Sequence, residues 1–546
     1  MLKFDLQHRK TDVLIIGAGG AGSRAAIEAA RAGKEVALVC RSPLGKGGLT
    51  PTANGGYHAA LWPGDSPAIH GEDLTTMGCF LNDRNLVRVL TEEAAEEARR
   101  LEELGAKVDW KIPPKPAEPQ MRYPRSLFVP GKEILDAFRH HLKNQNKVQL
   151  LEDHLAIQLL TKDGEVTGAI LLDIREGGVV VYESKATVLA TGSLGEIYPL
   201  TAHEPMGLPT GSTGSGYVLA GWAGADLVDM EMIQFTVMPV VPPLISGMRC
   251  LPWAPLFNRD GKEFLPPDLG AYSHEAALAV CRELEEGRGP ITMDLRGKNA
   301  SEHGRHPVAA HRGRRLKELG VTPYQRAVEI GMGVLFMMGG VHINERCETS
   351  VPGLYACGEV AGNVHGARRV SGNAFPEMIV FGARAGRYAA AFAEKKKASP
   401  EAPKDQVGDG VQYLESLVQG EGGKISPMEV GLKVKSIMGS HVHMVRNRGE
   451  IILALQELRE LEKELPSVGI EPVAGLRCNA RLLEAIDVRW IVHTAQIVCQ
   501  GALLREESRG FHFREDFPQE DADWLKHTVV RREGVEWVSG TKPVVM

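Results

Sequence analysis

The sequence predicts an α/β chain, α+β overall, built of several units, and three observations lead there. Residues 11–42, TDVLIIGAGGAGSRAAIEAARAGKEVALVCRS, read as strand, glycine turn, helix and strand in immediate succession. Glycine-rich segments of the same character return at 339–340 and 353–386, far down the chain. Beyond them, 451–465 and 481–503 carry apolar residues at helical spacing among charged ones. At 546 residues, against about 150 per domain, the chain is also too long for one compact core.

Each part of the opening unit has a physical reason. Residues 13–16 form the short apolar run that a parallel strand covered on both faces requires. Gly17, Gly19 and Gly22 then supply GxGxxG, with Gly20 between them. The first glycine permits the tight turn, the second lets the backbone approach a pyrophosphate, and the third lets strand and helix pack closely. The alanine-rich stretch 24–32 continues as helix, Gly33 stops it, and Val36–Val39 is the next strand. The unit therefore reads as a nucleotide-binding βαβ, with the first N–H groups of its helix facing phosphate.

The stretch 41–61, RSPLGKGGLTPTANGGYHAAL, is too rich in glycine and threonine for regular helix and reads as a loop around a cofactor. Residues 85–104 and 132–142 read as helices, 148–151 as a strand, 166–172 with 179–182 as a hairpin, and 186–190 as a separate buried strand ending in Ala190, Thr191 and Gly192. A proline-rich change of composition from Pro239 to Pro267 marks an inserted unit. A strand at 354–356 and a helix from about 376 then complete the first unit from distant sequence, which makes it discontinuous.

Composition removes several classes of function. Hydrophobic content of 43% and charged content of 24% are those of a globular protein. A formal charge of −6 argues against a nucleic-acid binder. No apolar run reaches the roughly 20 residues of a membrane helix, and the nearest, 331–341, is broken by glycine. The N-terminal residues lack an apolar signal core, so the expected location is cytoplasmic, peripheral to a membrane only through partner subunits. The eight cysteines are scattered without a CxxC, so no metal or iron–sulfur site is expected in this chain. His441 and His443 have metal-like spacing but no accompanying cluster, and read as helix-surface residues.

Seven segments, IIGAGGAG at 15–22, TANGG at 52–56, ATG at 190–192, DMEMIQF at 229–235, MGG at 338–340, GLYACGEVAGNVHGARRVSGNA at 353–374 and ESRGFHFREDFP at 507–518, carry a resemblance over nearly the whole chain. In that order they resemble the flavoprotein subunits of succinate dehydrogenase and fumarate reductase, a family that includes aspartate oxidase and, more distantly, adenylylsulfate reductase. The resemblance implies a Rossmann-like FAD-binding domain at 1–235 and 336–393, an inserted α+β capping domain at 236–335, and a C-terminal helical domain at 394–546. It also implies an oxidoreductase that acts on a small organic substrate and exchanges electrons with an iron–sulfur subunit.

The residues expected to bind FAD are Gly17, Gly19, Gly20 and Gly22; Arg41, Ser42, Thr50, Ala53, Asn54, Gly55 and Gly56; Ala190, Thr191 and Gly192; and Asp229, Glu359, Arg369, Asn373 and Ala374. The second strand ends in Cys40, Arg41 and Ser42, not in the acid common in nicotinamide enzymes. Leu49 stands where the family's dehydrogenases carry the flavin-attaching histidine, so the FAD is expected to be non-covalent.

Departures gather in the substrate pocket. The histidine of the family's QFHPT is Thr236, a threonine–glutamate pair becomes Ser246 and Gly247, the proton-donating arginine becomes His274, and a histidine before MGG is Leu335. His365 and Arg369 of HGARR match the family's HGANR and are the expected anchors for a carboxylate, with His274 as candidate proton donor. Because each lost group is worth roughly 10² to 10⁴ in rate, ordinary fumarate reduction is not expected. Trp253, Leu335 and Phe336 favour a bulkier or less charged substrate, such as an unsaturated acyl compound, a thiol or disulfide, or a small redox carrier. The other reading is a flavin electron-transfer or scaffold subunit with no turnover of its own.

Overall fold

The computed structural model describes residues 4–53, 55–112, 116, 118, 120–202, 211–240, 255–265, 274–296, 320, 324–419, 425–470 and 476–546. At its centre is a seven-stranded sheet. Val148–Leu151, Val36–Val39, Leu6–Ile16 and Val179–Leu189 run parallel, and the hairpin of His154–Lys162 with Glu165–Asp173 continues the sheet antiparallel. Val13, Leu14, Ile15 and all of Val36–Val39 are buried, as the unbroken apolar runs require.

Val179–Leu189 is one continuous strand, where the sequence suggested two. Its polar middle is tolerated because Glu183 stands opposite Lys10 in register, forms an ion pair with it at 2.8 Å, and accepts a hydrogen bond from the Ala402 N–H at 3.1 Å.

The chain returns to this domain after residue 340. Leu354–Ala356 pairs in parallel with Val179–Leu189, and the helix Ala374–Glu394 lies across Gly20–Arg31. Glycine sets that contact. A Cβ on Gly382 would stand 2.7 Å from the Ala21 carbonyl oxygen, and one on Gly386 2.1 Å from that of Ala25. Small residues on both helices thus bring the two backbones together.

The capping unit is an antiparallel sheet of Ile233–Pro239, Val328–Met337, Ile291–Met293 and Leu256–Phe257, with the helix His274–Glu285 beside it. Its two longest strands run through both expected boundaries, so the units share continuous backbone at 233–239 and 328–337.

Helices Lys404–Gln419, Pro427–His441, Arg448–Glu464 and Ala480–Leu504 form the C-terminal domain. It does not end as helix. Lys526–Glu533 and Glu536–Pro543 form a hairpin that joins Leu227–Val228 and Gly340–Val341 of the FAD-binding domain in a four-stranded sheet. The β-branched run Thr528, Val529, Val530, followed by Gly534 at φ +60°, is the local cause.

The same junction is held by buried charge. Arg505 donates from Nε to Glu231 at 2.6 Å, from Nη1 to Glu507 at 2.9 Å and from Nη2 to Asp229 at 3.1 Å, with the Trp524 and Lys526 carbonyls taking further bonds. Asp229 also accepts from His527 Nδ1 at 2.5 Å and the Thr528 N–H at 3.1 Å. All four charged side chains are at most 2% exposed.

Replacing Arg505 with Met removes the cation shared by three buried carboxylates and is expected to destabilise the protein by about 3–5 kcal/mol in urea denaturation. A second expectation concerns pH. Burial first lowers His70 and His493 to about 3, and His342 and His443 to about 4. In each the folded value lies below the unfolded one, so the unfolded chain binds more protons between about pH 6.5 and 4. The melting temperature should therefore fall as pH drops through that window, and calorimetry across it checks the sign.

Candidate active site

The glycine turn is closed on one side and open on the other. Gly17 has φ +104°, and a Cβ there would lie 2.2 Å from the Ala190 carbonyl oxygen. A Cβ on Gly22 would lie 1.8 Å from the Gly17 oxygen, and one on Gly20 2.2 Å from Met378 Sδ. Gly19 meets only Thr50 Oγ1, at 3.6 Å, while Gly48 and Gly192 have nothing within 4 Å. The backbone is thus pressed onto the sheet and leaves free space in front of the N-terminus of Gly20–Arg31, where N–H groups and helix dipole favour an anion. Thr50 Oγ1 accepts from the Gly20 N–H at 3.2 Å and ties the 41–61 loop to this turn.

The strand end carries the lining onward. Ala190 N–H bonds the Ile16 carbonyl at 2.8 Å, and the hydroxyls of Thr191 and Ser193 are buried without a partner among the described residues. Ser42 packs against Gly47, Ala53 closes the Thr50–Thr52 turn, and the Gly55 carbonyl accepts from the Val129 N–H at 2.9 Å. Gly56 faces Gly372, one residue before Asn373. Asn54 lies outside the described residues.

Glu359 accepts the Met337 N–H at 2.9 Å. Asn373, at the start of Ala374–Glu394, bonds His70 Nε2 at 3.1 Å and His58 Nδ1 at 3.2 Å. These are the polar surfaces that a ribityl chain and pyrophosphate require, and the orphaned hydroxyls fit a bound FAD.

Two residues expected at the FAD also reach across domains. Arg41 gives both terminal nitrogens to Asp487 of the C-terminal domain, at 2.7 and 2.5 Å. Asp229 spends its carboxylate on Arg505, His527 and Thr528. Both therefore act as ties between domains, because an oppositely charged group reaches them from sequence far away.

At the other end, His365 and Arg369 both pack against the ring of Phe336. The His365 ring stands edge-on at 5.4 Å, and the Arg369 guanidinium lies 4.5 Å from the ring centroid. Burial first, then Arg369, holds His365 well below its usual range, so it is neutral at pH 7. Gln234 donates to the Arg369 carbonyl at 3.3 Å, and Gln234 Oε1, Thr236 Oγ1 and His365 Nε2 are buried without partners among the described residues. Glu377, a buried acid of the next helix, is pushed well up by burial and then by Glu359. Nothing in the sequence pattern singles out Glu377, since an acid in a helix's first turn is ordinary.

His274 opens the capping helix, with Nε2 3.5 Å from Glu275 and its ring edge-on to Phe511 at 6.2 Å. Burial first, then Arg368, lowers its pKa. Ser246, Gly247 and Trp253 lie outside the described residues, and Leu335 is half-buried against the core. His441 pairs with Glu450 while His443 is half-buried against Phe235, and no cluster suited to a metal ion occurs among the described residues. No described helix is long and apolar enough to cross a membrane.

The family described as FAD binding domain matches residues 12–375, and fumarate reductase flavoprotein C-term matches 432–546. The chain belongs to the fumarate reductase and succinate dehydrogenase flavoprotein family. It is 33% identical to a fumarate reductase (CoM/CoB) protein of Methanothermobacter marburgensis, over 96% of this chain and 97% of that one. Among solved structures it is similar to Mycobacterium smegmatis Sdh1 in complex with UQ1, at TM-score 0.88, 29% identity and coverage of 99% and 95%. The E. coli quinol fumarate reductase FrdA gives TM-score 0.89 at 25% identity, covering 99% and 97%. As in this flavoprotein family, the cofactor is FAD and the chain is an FAD-dependent oxidoreductase.

The one-sided turn separates two effects. Gly19→Ala should fold normally yet weaken FAD binding by about tenfold, because its methyl enters the space in front of the helix. Gly17→Ala should lower the melting temperature even without flavin. Flavin-fluorescence titration and apoprotein melting check both.

Proposed function

We propose that this chain is the catalytic flavoprotein subunit of an oxidoreductase that moves a hydride between non-covalent FAD and a small unsaturated carboxylate other than fumarate, exchanging electrons with an iron–sulfur partner. The observation that carries this reading is the arrangement of His365, Phe336 and Arg369, a neutral imidazole and a cation gathered on one apolar ring. It suits one carboxylate with a carbon–carbon double bond beside it. Thr236 and Leu335 in place of polar groups leave less to hold a second carboxylate.

When bound, FAD supplies hydride chemistry at its N5 atom. Arg369 and His365 hold the substrate carboxylate, and Gln234 fixes the backbone of Arg369 through its carbonyl. In this reading His274, beside Glu275, is assigned to deliver a proton from solvent to the alkene carbon that does not take the hydride. The two electrons come from the partner. Leu49 starts the Thr50–Thr52 turn with no nucleophile, and His58 is tied to Ser126 at 2.8 Å and to Asn373, which supports a non-covalent flavin.

Acid precipitation should release all flavin as FAD. Dithionite-bleached protein should be reoxidised anaerobically by enoates faster than by fumarate, and Arg369→Gln should lower kcat/KM by roughly 10² to 10³. Reoxidation by no enoate, but rapid reoxidation by a co-purifying iron–sulfur protein, would establish the electron-relay reading instead.

A further inference from the structure

Arg368, beside the carboxylate anchor, is a buried cation that the reading above does not use. It is 5% exposed, and its Nη2 donates to Glu118 Oε2 at 2.5 Å. Glu118 is 2% exposed and also accepts the Ser371 N–H at 2.8 Å, so both its oxygens are engaged. Arg368 Nε is buried with no partner among the described residues. A guanidinium has five donors, and an unused buried donor costs about 1–3 kcal/mol unless something else takes it.

The surroundings show where those donors lie. Ala367, the preceding residue, donates from its N–H to the Gly78 carbonyl at 2.9 Å and accepts the Phe511 N–H at 3.2 Å. Phe511 in turn packs edge-on against His274 of the capping helix. His274 Nδ1 is likewise buried without a partner among the described residues. Two orphaned nitrogens, one on the FAD-binding domain and one on the capping unit, therefore flank the same junction, next to Arg369.

Charge decides what they take. The positive charge of Arg368 is already balanced by Glu118, and Glu275 adds a negative one beside His274. A second carboxylate placed here would be desolvated with no uncompensated cation to receive it. A neutral carbonyl oxygen needs only a donor. Resting on the enoate reading, we propose that Arg368, balanced by Glu118, sets specificity by donating to a neutral oxygen acceptor at the far end of a mono-anionic enoate. The pocket therefore prefers a monoamide or half-ester over the corresponding dicarboxylate.

The test compares fumaramate, monomethyl fumarate, crotonate and fumarate in stopped-flow reoxidation of the bleached FAD-loaded protein. Calorimetric binding of the unreactive succinamate and succinate accompanies it. Fumaramate and monomethyl fumarate should exceed fumarate and crotonate in kcat/KM by about tenfold, the worth of one hydrogen bond. Arg368→Asn should lower the fumaramate-to-crotonate ratio of kcat/KM by that factor. Glu118→Gln leaves the guanidinium uncompensated and should shift the ratio, and the binding preference, toward fumarate and succinate. Because the two variants move selectivity differently, a general loss of folding cannot imitate the pattern. If no enoate reacts, the parent reading fails. If enoates react and both variants keep the wild-type ratios, only the role of Arg368 is overturned.

Discussion

The guanidinium of Arg505 is the constraint on which the arrangement of domains depends. It is wholly buried and meets three carboxylates from two separated parts of the chain, Asp229 and Glu231 on one side and Glu507 on the other. A buried carboxylate cluster of this kind is unfavourable without its cation, and the cation is unfavourable without the cluster. Glu507 also engages Arg509, and Arg446 reaches the Glu231 carbonyl and His512, so the network continues into the helical domain. The C-terminal domain is therefore a structural part of the flavin domain, held by charge where an apolar interface would have been less demanding of register.

From that frame follows the division of labour around the cofactor. Backbone, not side chain, makes the phosphate end: glycines pressed against Ala190 and Gly17 leave helix N–H groups facing open space. Side chains make the reactive end, where a neutral imidazole and a guanidinium both pack on one aromatic ring. The first depends on local geometry. The second depends on two domains meeting along Ile233–Pro239 and Val328–Met337.

This difference explains what could be read from the sequence. The roles of Gly17 and Gly22 were legible because steric closeness within a βαβ unit is a local property, and the helix Arg84–Glu103 because its apolar residues repeat at helical spacing. The ties made by Arg41 and Asp229 are not legible, because Asp487 lies 446 residues from the first and His527 298 residues from the second. Long-range charge pairing leaves no periodic trace. The terminal hairpin did leave one, in Thr528–Val530 and Gly534, but helices dominate the preceding sequence and obscure it. Glu118 and Arg368, 250 residues apart, show the same limit inside the pocket.

The glycine contacts between the two central helices have a consequence for the living cell. During synthesis the βαβ unit leaves the ribosome well before its partner helix, and the surface formed by Ala21 and Ala25 has no cover until Gly382 and Gly386 arrive on a helix that ends at residue 394. Throughout that interval the nascent flavin domain presents an apolar helix face and an incomplete sheet edge. Its safe passage depends on how fast translation proceeds and on what shields that face meanwhile.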